Sequence, residues 1–355
     1  MSVTILALET SCDETAAAVV VDGCRVLSNI ISSQVDVHQK FGGVVPEVAS
    51  RKHLERFNQV VAEALSTAGL GFPDLDAVAV TYGPGLVGAL LVGVSAAKAF
   101  AFGLGVPLLG VNHLEGHIYA NFLTEPQLVF PLLCLVVSGG HTDLVYIHEH
   151  GSYRILGSTR DDAAGEAFDK VARTMGLGYP GGPLIDRLAR GGDPEALSLP
   201  RAYLEEGSLD FSFSGLKSAV INTLNRAARQ GLEIKPENLA ASFQKAVIDV
   251  LVDKTLLAAR KMEVSTILLA GGVAANAGLR DGLVKGARRE SRRVVIPEPL
   301  LCTDNAAMIA CAAYFKYLRG DLAPLTLNAV PDLKLGEERY EGNFRGRVYK
   351  ANQYS

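Results

Sequence analysis

The sequence predicts an α/β protein built from two similar halves. Three observations carry that reading. Short continuous apolar runs of strand length alternate with longer segments of helical period. A strand, polar turn, strand unit over residues 3–21 recurs over residues 131–147. Many of the 36 glycines cluster directly after apolar runs, a common mark of backbone that approaches a ligand. Two repeated units that each present a polar turn point to a shared cleft.

Composition narrows the function classes. With 48% hydrophobic and 20% charged residues, the chain is globular. Its 355 residues can bury one large core or two medium ones. A net charge of −4 and a pI near 6.0 give no global attraction to nucleic acid or an acidic membrane. A nucleic-acid partner would need a local basic patch or a second protein. Cys12, Cys24, Cys134, Cys302 and Cys311 are scattered, odd in number and form no CxxC, as expected of thiols in a reducing cytoplasm. No signal peptide is read at the start. The membrane-like stretch Ala89 to Val111 holds Lys98, Pro107 and four glycines, so a buried helix followed by a buried strand is expected, with no membrane partner.

The elements follow in order. Val3 to Leu8 is a strand ending in Glu9-Thr10-Ser11-Cys12-Asp13-Glu14-Thr15, and Ala16 to Val21 is the next. Three carboxylates and three hydroxyls in this stretch suit phosphate or Mg²⁺ handling, or decorate a hairpin tip. Asp22-Gly23 turns the chain into Arg25 to Ile31. Pro46 opens a helix to Thr67, whose Arg51, Lys52, His53 and Arg56 read as a solvated face or a polyanion contact. Ala77 to Thr81 is a strand, and Gly83-Pro84-Gly85 leads into an apolar helix reaching Phe102. This turn matches neither a dinucleotide fingerprint nor a P-loop. Val106 to Val111 is a strand, followed by Asn112-His113-Leu114-Glu115-Gly116-His117. On a helix, His113 and His117 share a face one turn apart and can reach one metal ion. They read equally as bystander histidines until a third ligand is found. Glu115 is one place too late for a metalloprotease and points off that face.

Pro131 to Val137 is a strand ending in Ser138-Gly139-Gly140-His141-Thr142-Asp143, and Leu144 to Ile147 is its partner. Asp161 to Lys170 starts a helix crowded with carboxylates that complement its dipole. Tyr179 to Pro183 is a glycine loop before Asp186, and Phe211 to Lys217 is a turn before a helix. Pro236 to Lys261 is a long helix and Thr266 to Ala270 a strand. Gly271-Gly272 then opens a helix, with Asn276 placed to fix a ribose or amide. Arg288, Arg289, Arg292 and Arg293 form the strongest basic run, an exposed loop by default or a tRNA or partner contact. Thr303 or Asp304 is expected to cap the last helix, and the residues after Gly320 read as a surface tail with no core of its own.

Seven of these motifs, in order over residues 3 to about 320, resemble the TsaD (formerly Gcp) family, bacterial type. They are residues 9–15, Gly83 to Leu86, Asn112 to His117, Ser138 to Thr142, Asp161 to Lys170, Gly271 to Asn276, and Thr303 to Ile309. The resemblance implies the actin/Hsp70/sugar-kinase fold, two lobes of related topology with a central cleft. Expected boundaries are 1–130 for the N-terminal lobe (completed by about 305–325), 131–304 for the C-terminal lobe and 326–355 for a tail. It places metal ligands on His113, His117 and Asp304. It places ligand-binding positions on Val136, Val137, Ser138, Gly139, Gly140, Asp169, Gly182, Asp186 and Asn276. The implied activity transfers a threonylcarbamoyl group from threonylcarbamoyl-AMP to N6 of adenosine 37, in tRNAs reading codons that begin with A. Implied partners are TsaB and TsaE. The implied cofactor is one divalent ion per subunit, Fe²⁺ by resemblance, with Zn²⁺ or Mn²⁺ equally suited by ligand type. Asp13 and Glu14 are the candidate catalytic carboxylates, as acceptors of the amine proton. The alternatives are a small-molecule kinase of the same superfamily, a non-catalytic nucleotide-binding partner protein and, on the paired histidines alone, a metalloprotease.

Overall fold

The structure, a computed structural model, describes residues 2–338. The described residues form two compact units: 2–128 with 303–338, and Val129–Cys302.

The first unit opens with β1 (Thr4–Glu9), β2 (Glu14–Val21) and β3 (Arg25–Ser33), an antiparallel meander. Short α1 (Val35–His38) and long α2 (Pro46–Ala68) follow. Next come β4 (Ala77–Gly83), α3 (Val87–Leu104), β5 (Leu108–Asn112) and α4 (His113–Thr124). The sheet order is β3-β2-β1-β4-β5, with β4 parallel to both β1 and β5. β1 and β4 are covered on both faces, which is why they read as unbroken apolar runs and not as alternations. Asp22 and Gly23 both take positive φ (52° and 69°) in the three-residue turn Asp22–Cys24, closed by Cys24 N donating to Val21 O (3.3 Å).

The second unit repeats this plan. β6 (Leu132–Val137), β7 (Thr142–Glu149) and β8 (Ser152–Ser158) form the meander. After α5 (Ala164–Thr174), α6 (Gly181–Ala189), α7 (Ser214–Arg229) and α8 (Pro236–Lys261) come β9 (Thr266–Ala270), α9 (Ala277–Arg289), β10 (Arg293–Val295) and short α10 (Pro299–Cys302). The order is β8-β7-β6-β9-β10, with β9 parallel to β6 and to β10. In both units the first strand is central, its meander lies to one side and two parallel strands lie to the other. The chain then returns to the first unit as α11 (Ala306–Arg319), packed on α4 and on β1.

Four expectations change. The helix at Val87–Leu104 is not buried: Val87, Leu91 and Phe102 are exposed, Phe102 by 75%. By length and composition alone it could cross a membrane, and only a third of it is buried. It is apolar all round, yet only one side packs, through Leu90, Gly93, Val94 and Ala97. His53 is not part of an exposed basic face; it is fully buried, on the inner side of α2 with Ala49, Phe57 and Val60. Asp161 does not serve the dipole of its own helix. Its carboxylate accepts from Phe213 N (2.8 Å), Ser214 N (3.2 Å) and the hydroxyls of Ser212 and Ser214, and so caps α7. Finally, the described part of the tail is more than a surface cover. Leu327 and Leu333 enter the core of the first unit, Val330 N donates to Tyr82 O (2.7 Å), and Gly85 N donates to Pro331 O (3.2 Å). Residues 339–355 of that tail lie outside the described residues.

Candidate functional site

In the first unit the carboxyl ends of the parallel strands β1, β4 and β5 carry the polar turns, the edge where α/β sheets bind ligands. β5 ends at Asn112. Its side-chain oxygen accepts from Leu114 N (2.9 Å), so Asn112 caps α4 and fixes His113 and His117 on the first turns. The two rings meet edge to face, centroids 4.6 Å apart. α4 sits close to α11, because Gly116 lies against Ile309 and Met308 where a side chain would intrude.

Asp304 stands just before α11, and Asn305, not Thr303 or Asp304, is the cap: its side-chain oxygen accepts from Met308 N (3.0 Å). The Asp304 carboxylate reaches the two histidines. Its Oδ1 lies 3.1 Å from His117 Nε2 and 3.5 Å from His113 Nε2. One ligand atom from each of His113, His117 and Asp304 falls within 4.8 Å of the others.

Behind His113 stand residues that sequence reasoning did not connect to it. Glu9, fully buried at the end of β1, brings Oε2 to 3.1 Å from His113 Nδ1, and Ser11 Oγ lies 3.1 Å from the same nitrogen. Thr81 on β4 donates its hydroxyl to Glu9 Oε2 (2.6 Å), while Glu9 Oε1 accepts from Ser11 N. The available signal was a charged residue closing an otherwise apolar strand. His53 has a similar supporting place: Nδ1 lies 2.8 Å from Thr15 Oγ1 and Nε2 2.9 Å from Cys12 O, so it ties the 9–15 turn to α2.

The charges of the cluster are uneven. Burial pulls His113 down, but the Asp304 and Glu9 carboxylates outweigh it and push the imidazole up to about 9. Burial holds His117 below the ordinary histidine value. Burial also works against Glu9, yet His113 beside it keeps Glu9 below the usual carboxylate range. Glu14 is pushed up to about 10 by burial, then by Asp304 and Asp13, so at neutral pH it is a protonated acid. Ser33 Oγ donates to it (3.0 Å). Cys12 is likewise driven up by burial, Asp13 and Asp304 into an un-ionised thiol. Several groups thus compete for one excess of negative charge, which a cation would relieve.

The residues present fit a divalent metal. Two imidazoles and a carboxylate are a donor set for borderline divalent ions. The His117 ring is fully buried and its Nδ1 has no hydrogen-bond partner, while Nε2 has only the Asp304 carboxylate near it, at 3.1 Å. An orphaned buried imidazole beside a carboxylate is what an ion would satisfy. Glu115 is buried on another side of α4, where its charge helps raise Lys316.

Of the expected ligand-binding positions in the second unit, Val136 to Gly140 and Asn276 lie at or just after the carboxyl ends of β6 and β9, while Asp169 lies on α5 and Gly182 and Asp186 on α6. Val136 and Val137 are buried in β6. Ser138 Oγ accepts from His141 N (3.1 Å) and Gly140 N (3.3 Å), forming a tight turn whose Gly139 and Gly140 face open space. Gly271, at φ 89°, packs on Val137 O so closely that a Cβ would lie 2.4 Å away. Asp169 accepts from Gly181 N (2.7 Å), at the start of α6, where Gly182 also faces open space. Asp186, farther along α6, pairs with Arg190 (3.1 Å). Asn276 is occupied structurally: it caps α9 at Leu279 N (2.9 Å) and donates to Gln244 (2.7 Å), which leaves one amide hydrogen for a ligand.

Two repeated five-stranded sheets with polar turns at their carboxyl ends define an α/β protein of the actin/Hsp70/sugar-kinase architecture. Solved structures share that fold. HypF from T. kodakarensis superposes with a TM-score of 0.61 at 15% identity, covering 90% of this chain and 48% of that one. Component A of (R)-2-hydroxyglutaryl-CoA dehydratase from Acidaminococcus fermentans gives 0.51 at 17% identity, covering 90% and 98%. In sequence, residues 25–311 match the family described as TsaD: tRNA N6-adenosine threonylcarbamoyltransferase. Proteins of that name from Moorella thermoacetica and Desulfitobacterium hafniense are 65% and 62% identical, over 93% and 94% of this chain and 97% and 98% of theirs. The chain belongs to the TsaD family.

Proposed function

We propose that the chain transfers a threonylcarbamoyl group from threonylcarbamoyl-AMP to N6 of adenosine 37, in tRNAs that read codons beginning with A. The family match over residues 25–311 carries this reading. In the transfer the N6–C bond forms, the mixed-anhydride C–O bond to phosphate breaks, AMP leaves and one N6 proton is lost.

His113, His117 and Asp304 would hold one divalent ion, Fe²⁺ by family resemblance, with Zn²⁺ or Mn²⁺ equally suited to the donors. Bound there, it would supply Lewis-acid stabilisation of charge growing on a carbonyl or phosphate oxygen. Asp13 and Glu14 are the candidate proton carriers. Burial and the Asp304 and Asp13 carboxylates raise Glu14 in the metal-free chain, and an ion held by Asp304 would offset that carboxylate, so both remain candidate acceptors of the amine proton. In the second unit, the Ser138-Gly139-Gly140 turn offers backbone amides to phosphate or carbamoyl oxygens. Asp169, Gly182, Asp186 and Asn276, with the backbone of Val136 and Val137, would hold the rest of the adenylate. The target adenosine leaves its stack to react, as single-stranded RNA bases do when recognised. With a net charge of −4, the chain would engage tRNA through a local basic face and through TsaB and TsaE. The five free thiols support a cytoplasmic setting.

One assay tests the reading: incorporation of radiolabelled threonine into tRNA with the adenylate synthase, TsaB and TsaE supplied. Label in tRNA that disappears without this chain is expected; no label with all components active would sink the proposal. Phosphorylation of a sugar or acetate by ATP in its place would establish the kinase alternative.

A further inference from the structure

We propose that Glu9 is a positioning residue for the metal centre: its carboxylate holds His113 by Nδ1 and so presents Nε2 to the ion. The inference rests on the reading of His113, His117 and Asp304 as metal ligands. Three observations carry it. First, His113 Nδ1 already has neighbours on the protein side, Glu9 Oε2 and Ser11 Oγ, each at 3.1 Å, whereas Nε2 faces Asp304 Oδ1. Second, Glu9 is fully buried, and a buried carboxylate at the end of a central strand is costly unless its oxygens are used. The two oxygens divide the work. Oε1 holds the turn through Ser11 N, while Oε2 is fixed by Thr81 and aimed at His113. Third, the strand that carries Glu9 is paired on both sides, to β2 and β4, so its end is a rigid base for orientation. A carboxylate that accepts the second N–H of a metal-bound imidazole fixes its tautomer and raises its basicity, and losing it typically costs about 10- to 100-fold in metal affinity.

A competing explanation is that Glu9 only braces the 9–15 turn. The two roles separate by which property changes. Zn²⁺ affinity of the full chain is measured by competition with a chromophoric chelator for wild type, Glu9→Gln, Glu9→Ala and His113→Ala, alongside the thermal midpoint of each metal-free protein. Glu9→Gln keeps an acceptor but loses the charge, and should weaken Zn²⁺ about 10-fold; Glu9→Ala should approach about 100-fold. Unchanged affinity in both folded variants overturns the proposal. If wild type and His113→Ala bind Zn²⁺ alike, the metal assignment itself fails, which is a different result. Should both Glu9 variants fail to fold, wild type still decides. ¹⁵N spectra of the Zn²⁺-loaded histidines should show His113 metallated at Nε2 and protonated at Nδ1. Coordination through Nδ1 overturns the proposal.

Discussion

Charge at the level of single residues makes the metal-free chain pH-sensitive in a definite direction. The folded value for His113, about 9, lies above its ordinary 6.5. Its contribution to stability is therefore complete below pH 6.5 and is lost as pH rises toward 9. Glu14, raised from 4.5 to about 10, acts with the same sign, because the folded chain keeps a proton that the unfolded chain releases. Metal-free protein should thus lose stability steadily between pH 6.5 and 9 in urea titrations. Saturating Zn²⁺ should flatten that slope, since the ion takes the place of the His113 proton. A metal-free chain equally stable at pH 6.5 and 9 would contradict this electrostatic picture. Sequence made the histidine pair visible through its four-residue spacing, but not Glu9, because a carboxylate closing a strand looks like the first residue of a turn. Nor did it find Asn305, since Thr303 or Asp304 was the expected cap; all three neighbours are good caps, and only the backbone decides which one faces the helix.

Single elements depend on a few such side chains. Asn305→Ala should cost about 1 kcal/mol by removing the cap of α11. It should also weaken Zn²⁺ binding, because the frayed turn carries Asp304; unchanged affinity in a destabilised variant would show that the cap and the ligand are independent. Asp161→Ala removes an acceptor of four hydrogen bonds at the start of α7. A loss of about 1–2 kcal/mol is expected, read in the denaturation midpoint. Strands such as Thr266–Ala270 and helices such as Pro236–Lys261 were legible because a buried apolar run or an N1 proline is a local signal. β8 and β10 were not. Both are edge strands with mixed, half-exposed side chains, and β10 passed for the end of a basic loop. His53 was misplaced by counting neighbours in sequence; taken four residues from Ala49 and from Phe57, it falls on the apolar face of α2.

Across the whole molecule, the duplication was legible because each half begins with the same strand, turn, strand pattern, whereas the return of α11 to the first unit leaves no local mark. Leu327 shows how far that return extends: it is fully buried in the first unit, and Leu327→Ala should cost about 2–4 kcal/mol in a denaturant titration. A cost near zero would mean that residues beyond α11 cover the unit without stabilising it. The return also places Asp304 roughly 190 residues after His113 in the chain, with the second unit encoded between them. Ion binding would therefore close a very long covalent loop. During synthesis, a nascent chain long enough to form β1 and both histidines still lacks a ligand until the second unit has been made. The donor set is completed only when Asp304 emerges, so full metal affinity would mark a chain translated past both units, and early release would leave a product with an incomplete centre.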